Sequence, residues 1–327
     1  MKKSRLYLGT LLATNLACLA AAPAFAADDW PSRPVRVIVP YAPGNTGDIA
    51  LRFVQLELEK RFGVRILIDN KSGASGNIGA SEVARAAPDG YTFLLGATNN
   101  FVTNQYLFKD MNFDPLKDLV PVSLLSNAPS VVVVNAKSPF QSLSDLTQHA
   151  KANPGRLNYG SPGTGTPPHL AVELYSQLAG VELTHVPYRG SPPAVQALMG
   201  DEIQLYVTAL SSVAGAIDGG RLKPLAVAGK ERLSILKDVP TTAEQNLPGL
   251  VTGNWWGLAA PVGTDTAIIR KFSEAIAEVL KDPAVQKQYT DIGVTPVGST
   301  PEAFAEMIQR EAKAWKSVID RAGIEVQ

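Results

Sequence analysis

From Val35 onward, short β-branched runs alternate with longer segments of helical period, and that alternation confines the chain to α/β layering. Residues 35–40 read as a buried strand. Residues 48–62 follow as a helix, with Ile49, Phe53, Leu56 and Lys60 along a mostly apolar face and Gly63 as its stop. A second strand is expected at 64–69, a helix at 76–86 and a third strand at 91–96. Three β-runs packed so closely predict right-handed parallel crossovers.

The composition shifts across residues 121–129, and the four valines at 131–134 then demand a strand buried on both faces. A new α/β unit starts there. Ser142 can cap a helix with Asp145 at its third position. Strands are expected at 157–159, 183–186, 203–207 and 224–228, with a helix at 169–178. Helices at 264–280 and 301–321 need a sheet to cover, and the first sheet is the one left half-covered. The expected architecture is therefore two α/β lobes, residues 27–125 plus 255–327 and residues 126–254. Two crossing strands would act as a hinge. Ligands of such sheets bind beyond the carboxyl ends of the strands, which places function in the cleft between the lobes.

The first 26 residues have a different character. Lys2, Lys3 and Arg5 precede an apolar run at 6–19 and the small-x-small end Ala24-Phe25-Ala26, the order of a secretory signal cut after Ala26. The chain as a whole balances 30 basic against 30 acidic side chains. Removing the three leader cations leaves 27 against 30, a net charge of −3 that disfavours nucleic acid as a partner. Cys18 is the only cysteine and lies in the leader, so disulfides and thiolate catalysis are not expected beyond it. Asn15 stands where a lipoprotein signal needs an aliphatic residue, which argues against a lipid anchor on Cys18. No later apolar stretch approaches the ~20 residues needed to cross a bilayer. The expected destination is a bacterial periplasm.

Four loops at expected strand ends are dense in glycine, proline and hydroxyl groups. In residues 40–48 (Pro-Tyr-Ala-Pro-Gly-Asn-Thr-Gly-Asp), backbone N–H groups and a helix dipole favour an anion, with Tyr41, Ala42, Gly44, Asn45 and Asp48 as candidate contacts. Asn45 and Asp48 equally fit a capping box, and the two readings are compatible. The absence of a P-loop lysine argues against nucleotide phosphate. Residues 72–79 (Ser-Gly-Ala-Ser-Gly-Asn-Ile-Gly) miss the dinucleotide spacing and read as a plain turn before a close-packed helix start.

The third loop, residues 159–169 (Tyr-Gly-Ser-Pro-Gly-Thr-Gly-Thr-Pro-Pro-His), resembles a nucleophile elbow only loosely, because Tyr159 occupies the first glycine position. Pro167 and Pro168 remove two donors from the helix start. The amides around Gly165 and the hydroxyls of Ser161, Thr164 and Thr166 remain as an anion nest. The fourth loop, residues 185–192, offers Arg189, which either faces the cleft or pairs on the surface. Asn99 and Thr208, each just past an expected strand, complete the candidate ligand-binding set. His149, His169 and His185 lack any zinc-ligand spacing, so neither metal nor cofactor is expected. His149 reads as exposed on its helix, and His169 as a cleft donor or a structural hydrogen-bonding group. Trp255 and Trp256 are expected in the core.

Ordered along the chain, Trp30-Pro31-Ser32-Arg33-Pro34, Pro43-Gly44 with Asp48, Ala50-Leu51-Arg52 and Pro88-Asp89-Gly90-Tyr91 are distinctive. So are the segment from His185 through Arg189 to Gly190, the segment 220–227, Asp238-Val239-Pro240-Thr241 and Trp256-Gly257-Leu258. Together they resemble the Bug or TctC family, extracytoplasmic solute receptors of tripartite tricarboxylate transporters. The resemblance implies a two-lobed periplasmic binding protein of the Venus-flytrap kind, type II-like and monomeric. It would hold a small organic anion, often a carboxylate, and deliver it to membrane permease subunits without chemistry. Carried over by position, the anion loops are residues 42–48 and 161–169. The family usually has a second glycine where Asn45 stands and frequently an acid near Thr208, so an amino-acid ligand would lack a partner for its ammonium. Two other functions are compatible with the sequence: a secreted hydrolase using Ser161 with His169 or His185, and a ligand sensor for a signalling partner.

Overall fold

The computed structural model describes residues 30–324, so the expected leader, its cut after Ala26 and Cys18 lie outside the described residues. The first unit runs β1 (Val35–Val39), α1 (Thr46–Phe62), β2 (Ile66–Asn70), α2 (Asn77–Ala84) and β3 (Thr92–Ala97). A π-turn at Asn99–Thr103 then leads into the short α3 (Asn104–Leu107). β1 lies between β2 and β3 and parallel to both. α1 ends because Gly63 adopts a left-handed conformation (φ 69°) and returns its N–H to Glu59. That turn delays β2, which starts at Ile66 rather than at residue 64.

The buried stripe of α1 differs from the expected one. Ala50, Leu51, Val54 and Leu58 face the core, while Leu56 is 63% exposed. Gly47 packs closely against the Trp256 indole, and the positions in phase with it at three- and four-residue spacing are 50, 51, 54 and 58. Leu56 is out of that phase.

The 17-residue β4 (Leu119–Asn135) is the backbone of the molecule. Its first half pairs antiparallel with β9 (Gly253–Pro261), which in turn pairs with β3, and β10 (Thr295–Pro296) borders it on the other side. The first lobe's sheet is thus ordered β2-β1-β3-β9-β4-β10.

The second unit runs α4 (Leu143–Ala152), β5 (Asn158–Ser161), α5 (Pro167–Ala179), β6 (Thr184–Pro187), α6 (Ser191–Met199), β7 (Tyr206–Ala209), α7 (Ala214–Asp218) and β8 (Leu222–Ala228). The second half of β4 pairs with β7 and β8, and the parallel pair β5-β6 joins β7 through the bridge Tyr159–Leu205. As the four-valine run required, Val132 and Val134 enter one core with Leu143, Leu146, Val172 and Tyr175. Val131 and Val133 enter another with Ala194 and Leu198.

α8 (Thr266–Val279), α9 (Pro283–Asp291) and α10 (Pro301–Ala322) return to the first sheet. Val37 and Phe93 pack with Leu51, Phe272 and Ile276 on one face. On the other, Ile38 and Leu94 pack with Val83, Phe304 and Ile308. Each such buried side chain stabilises the fold by ~1.5–3 kcal/mol. Trp255 and Trp256 are core residues, 4% and 3% exposed, in the opposite-face cores of Phe304 and Leu51.

Two strands cross between the lobes. β4 passes through unbroken, and the Ser130 N–H donates to the Thr252 carbonyl at 2.9 Å beside it. α10 adds a third link: Ile319 packs with Leu107 of α3 and Leu170 of α5, and Gln177 Nε2 donates to the Val318 carbonyl at 3.3 Å. Among the described residues no helix is long and apolar enough to cross a membrane.

Candidate functional site

β1, β2 and β3 in one lobe and β5, β6 and β7 in the other end on loops at their carboxyl edges, where α/β sheets bind ligands. In the first lobe the loop after β1 is locked by its own side chains. Asn45 caps α1, its Oδ1 accepting the N–H groups of Gly47 (2.9 Å) and Asp48 (3.1 Å), while its Nδ2 donates to the Ala42 carbonyl (2.7 Å). Asp48 is 2% exposed and accepts from the Gly44 N–H (2.9 Å), the Arg52 guanidinium (3.1 Å) and Asn70 Nδ2 (3.2 Å). Burial pushes its carboxyl upward, but these hydrogen bonds outweigh burial and hold it below its ordinary range. Asp48 therefore shapes the loop, and Arg52 neutralises its charge. Among the described residues the N–H groups of Asn45 and Thr46 have no partner within the chain, leaving two donors on the positive end of the α1 dipole. Ala42 and Gly44 are exposed beside them.

Tyr41 ties this loop to two others. Its hydroxyl lies 2.6 Å from Asn99 Oδ1 and 3.0 Å from Asn100 Oδ1. Its ring meets Trp256 edge-on at 5.2 Å. The loop after β2, read above as a plain turn, is more than that. Ala74 and Ser75 adopt positive φ (46° and 53°), a costly conformation for residues other than glycine. The Ser75 carbonyl accepts from three asparagine side chains, Asn99 (2.8 Å), Asn100 (3.1 Å) and Asn104 (3.1 Å). Asn104 Nδ2 also donates to Asn77 Oδ1 at 2.6 Å. Asn100, Asn104 and Ser75 escaped the sequence reading, and the asparagine density at 99–104 was the signal that could have found them.

The second lobe's loop after β5 has a comparable internal lock. Ser161 is fully buried, and its Oγ contacts His185 Nε2 (2.7 Å), donates to the Gly163 carbonyl (2.9 Å) and accepts the Gly163 N–H (3.1 Å). Thr166 Oγ1 also donates to the Gly163 carbonyl, at 2.6 Å. The Gly165 N–H donates to His169 Nδ1 at 2.9 Å. Of the amides expected to face an anion here, Gly163 and Gly165 are thus turned inward. Thr164 is exposed, and its N–H has no partner within the described residues. The Tyr188 N–H bonds the Ser161 carbonyl and the Gly190 N–H the Pro162 carbonyl, which puts Arg189 beside this loop with its side chain exposed. Thr208 is buried on β7 opposite Val131. His149 is exposed on α4.

One short helix relates the two halves of the site. α3 begins with Asn104, which holds the Ser75 loop, and ends with Leu107, whose Cδ1 would lie 3.2 Å from a Cβ at Gly165. α3 therefore links the Ser75 loop, to which Tyr41 ties the Asn45–Thr46 loop, to the Gly165 loop of the other lobe. No cluster of three or more His, Cys, Asp or Glu that could hold a metal ion occurs among the described residues.

His169 and His185 stack with ring centroids 4.0 Å apart. Burial, and secondarily His185, lowers the His169 imidazole to about 4, and burial also lowers His185. Both rings are neutral at pH 7. A histidine kept neutral by folding stabilises the native state fully above its unfolded pKa near 6.5, and that contribution is lost as pH falls toward 4. The unfolding free energy from urea titrations should therefore drop between pH 6.5 and 4, by up to about 3 kcal/mol from His169. His169→Gln should flatten that slope, and an unchanged slope would refute the assignment.

The family model described as tripartite tricarboxylate transporter family receptor matches residues 50–324. A Rhodopseudomonas palustris protein solved with adipate is 34% identical, covering 91% of this chain and 100% of its own, with a TM-score of 0.77. The periplasmic binding protein BugD is 29% identical over 91% of this chain and 100% of its own, with a TM-score of 0.73. MatC from Rhodopseudomonas palustris, solved with bound malate, is 32% identical over 89% of this chain and 100% of its own, with a TM-score of 0.72.

Proposed function

This chain belongs to the tripartite tricarboxylate transporter receptor family, and from that premise we propose that it is a periplasmic receptor that captures a small organic carboxylate between its lobes and hands it to a membrane permease. The observation that carries this reading is the link through α3 between strand-end loops of the two lobes, with Asn104 holding the Ser75 loop beside Tyr41 and Leu107 lying against Gly165. The N-termini of α1 and α5 lie behind those loops and favour a negative group. The proteins solved with adipate and with malate support a carboxylate as the class of ligand. Thr208 offers no carboxylate for an ammonium group, which favours ligands without one.

Affinity does not require an arginine clamp. Micromolar binding is ~8 kcal/mol, and a hydrogen bond to a charged group is worth ~1.5–3 kcal/mol. Three to five amide and hydroxyl donors in a closed cleft are enough by this arithmetic. A thermal-shift screen of mono-, di- and tricarboxylates tests the reading. At least one should raise the melting midpoint by linkage, and a protein unmoved by the whole panel would overturn it.

The Ser161–His185 contact gives a hydrolase reading a specific observation of its own. Against it, Ser161 is fully buried, its Oγ is engaged by Gly163 on both sides, and no carboxylate bonds His185 among the described residues. The protein should not turn over p-nitrophenyl esters. Turnover that disappears in Ser161→Ala would instead establish the hydrolase.

A further inference from the structure

We propose that Glu173 is a positioning residue for the second lobe's anion loop, acting through the tautomer of His169. His169 Nδ1 accepts the Gly165 N–H at 2.9 Å, so Nδ1 must carry a lone pair and the proton of the neutral ring must sit on Nε2. Nε2 faces Glu173 Oε1 at 3.8 Å, too long for a hydrogen bond but close enough for the carboxylate to favour an N–H over a lone pair at that position.

Glu173 is itself held in place, because the buried Tyr159 hydroxyl donates to the same Oε1. Tyr159 and Glu173 sit one on β5 and the other on α5, and therefore bracket the loop between those elements. The His185 ring, and farther off the Tyr159 ring, stack on His169. The opposite tautomer would aim a lone pair at the carboxylate and a proton at the Gly165 N–H, two repulsions at once. Gly165 would then turn away from its ring, and the exposed Thr164 amide beside it would move with it.

The inference rests on the proposed function only in treating this loop as ligand-bearing. The primary readouts need no ligand: long-range nitrogen–proton NMR spectra of the imidazoles at pH 7.5, and hydrogen exchange of the Gly165 amide. In the unmodified protein His169 should show the Nε2–H tautomer and a protected Gly165 amide. In Glu173→Gln the tautomers should mix and Gly165 should exchange at least about tenfold faster, because its acceptor is present only part of the time. Tyr159→Phe keeps the carboxylate and should keep the Nε2–H form.

Any carboxylate that stabilises the unmodified protein should bind Glu173→Gln about tenfold more weakly, a difference of about 1.4 kcal/mol. An Nδ1–H tautomer in the unmodified protein would overturn the proposal even if Glu173→Gln failed to fold, as would an unchanged tautomer and unchanged exchange in a folded Glu173→Gln. A protein that meets the NMR expectations but binds no carboxylate would refute the receptor reading and leave the positioning role standing.

Discussion

Gly47→Val should lower the melting midpoint by roughly 6–10 °C, from about 3 kcal/mol of overpacking, and weaken ligand binding at the same time. A Cβ at Gly47 would lie 2.2 Å from Trp256 Cε3, a distance no real contact allows. Neither side can yield cheaply. Gly47 is in the first turn of α1, pinned by Asn45, and Trp256 is 3% exposed, held by its strand and by the Tyr41 ring. Relief must come from lifting the start of α1 off the sheet, which displaces the Asn45 and Thr46 donors together. Shortening the indole in the same chain, Gly47→Val with Trp256→Leu, should recover part of the lost stability through coupling between touching residues. A Gly47→Val protein that melts with the unmodified one would show that the loop does not rest on Trp256.

Gly165→Asp should abolish carboxylate binding while leaving the fold intact. Gly165 has φ 76°, a region aspartate tolerates better than most residues. The added Cβ would meet only the flexible end of Leu107, at 3.2 and 3.3 Å. What changes is charge. A carboxylate placed about 5 Å from a bound anion costs about 3 kcal/mol at an effective dielectric of about 20, or more than 100-fold in affinity. Gly165→Asn has nearly the same shape and no charge, so it should bind within about tenfold of the parent. Equal losses in the two variants, measured by titration calorimetry, would mean that shape rather than repulsion is responsible.

What the sequence made legible follows from how local each signal is. The valines at 131–134 announce a strand buried on both faces, because no solvent-facing strand carries four in a row. Asn45 reads as a cap because Asp48 stands three residues on, and it is one. The phase of α1 was misread because Ile49, Phe53 and Leu56 look apolar in isolation, whereas the stripe is set by Gly47 against Trp256, a contact between distant parts of the chain.

The Ser75 loop was missed for the same reason. Its partners Asn99, Asn100 and Asn104 lie across β3, and nothing in Ser-Gly-Ala-Ser-Gly says that one carbonyl will gather three amides. The His169 lock was half legible. A histidine at a helix start suggests a donor, but the fold turns its Nδ1 inward as an acceptor and so removes Gly165 from the amides free for a ligand.

The most direct measurement is a crystal structure of the protein grown with adipate or malate, whichever raises the melting midpoint more. The predicted result is an intact carboxylate between residues 42–46 and 161–166, its oxygens within hydrogen-bond distance of main-chain N–H groups from both lobes. A ligand bound elsewhere, held by one lobe alone, or found cleaved would contradict it.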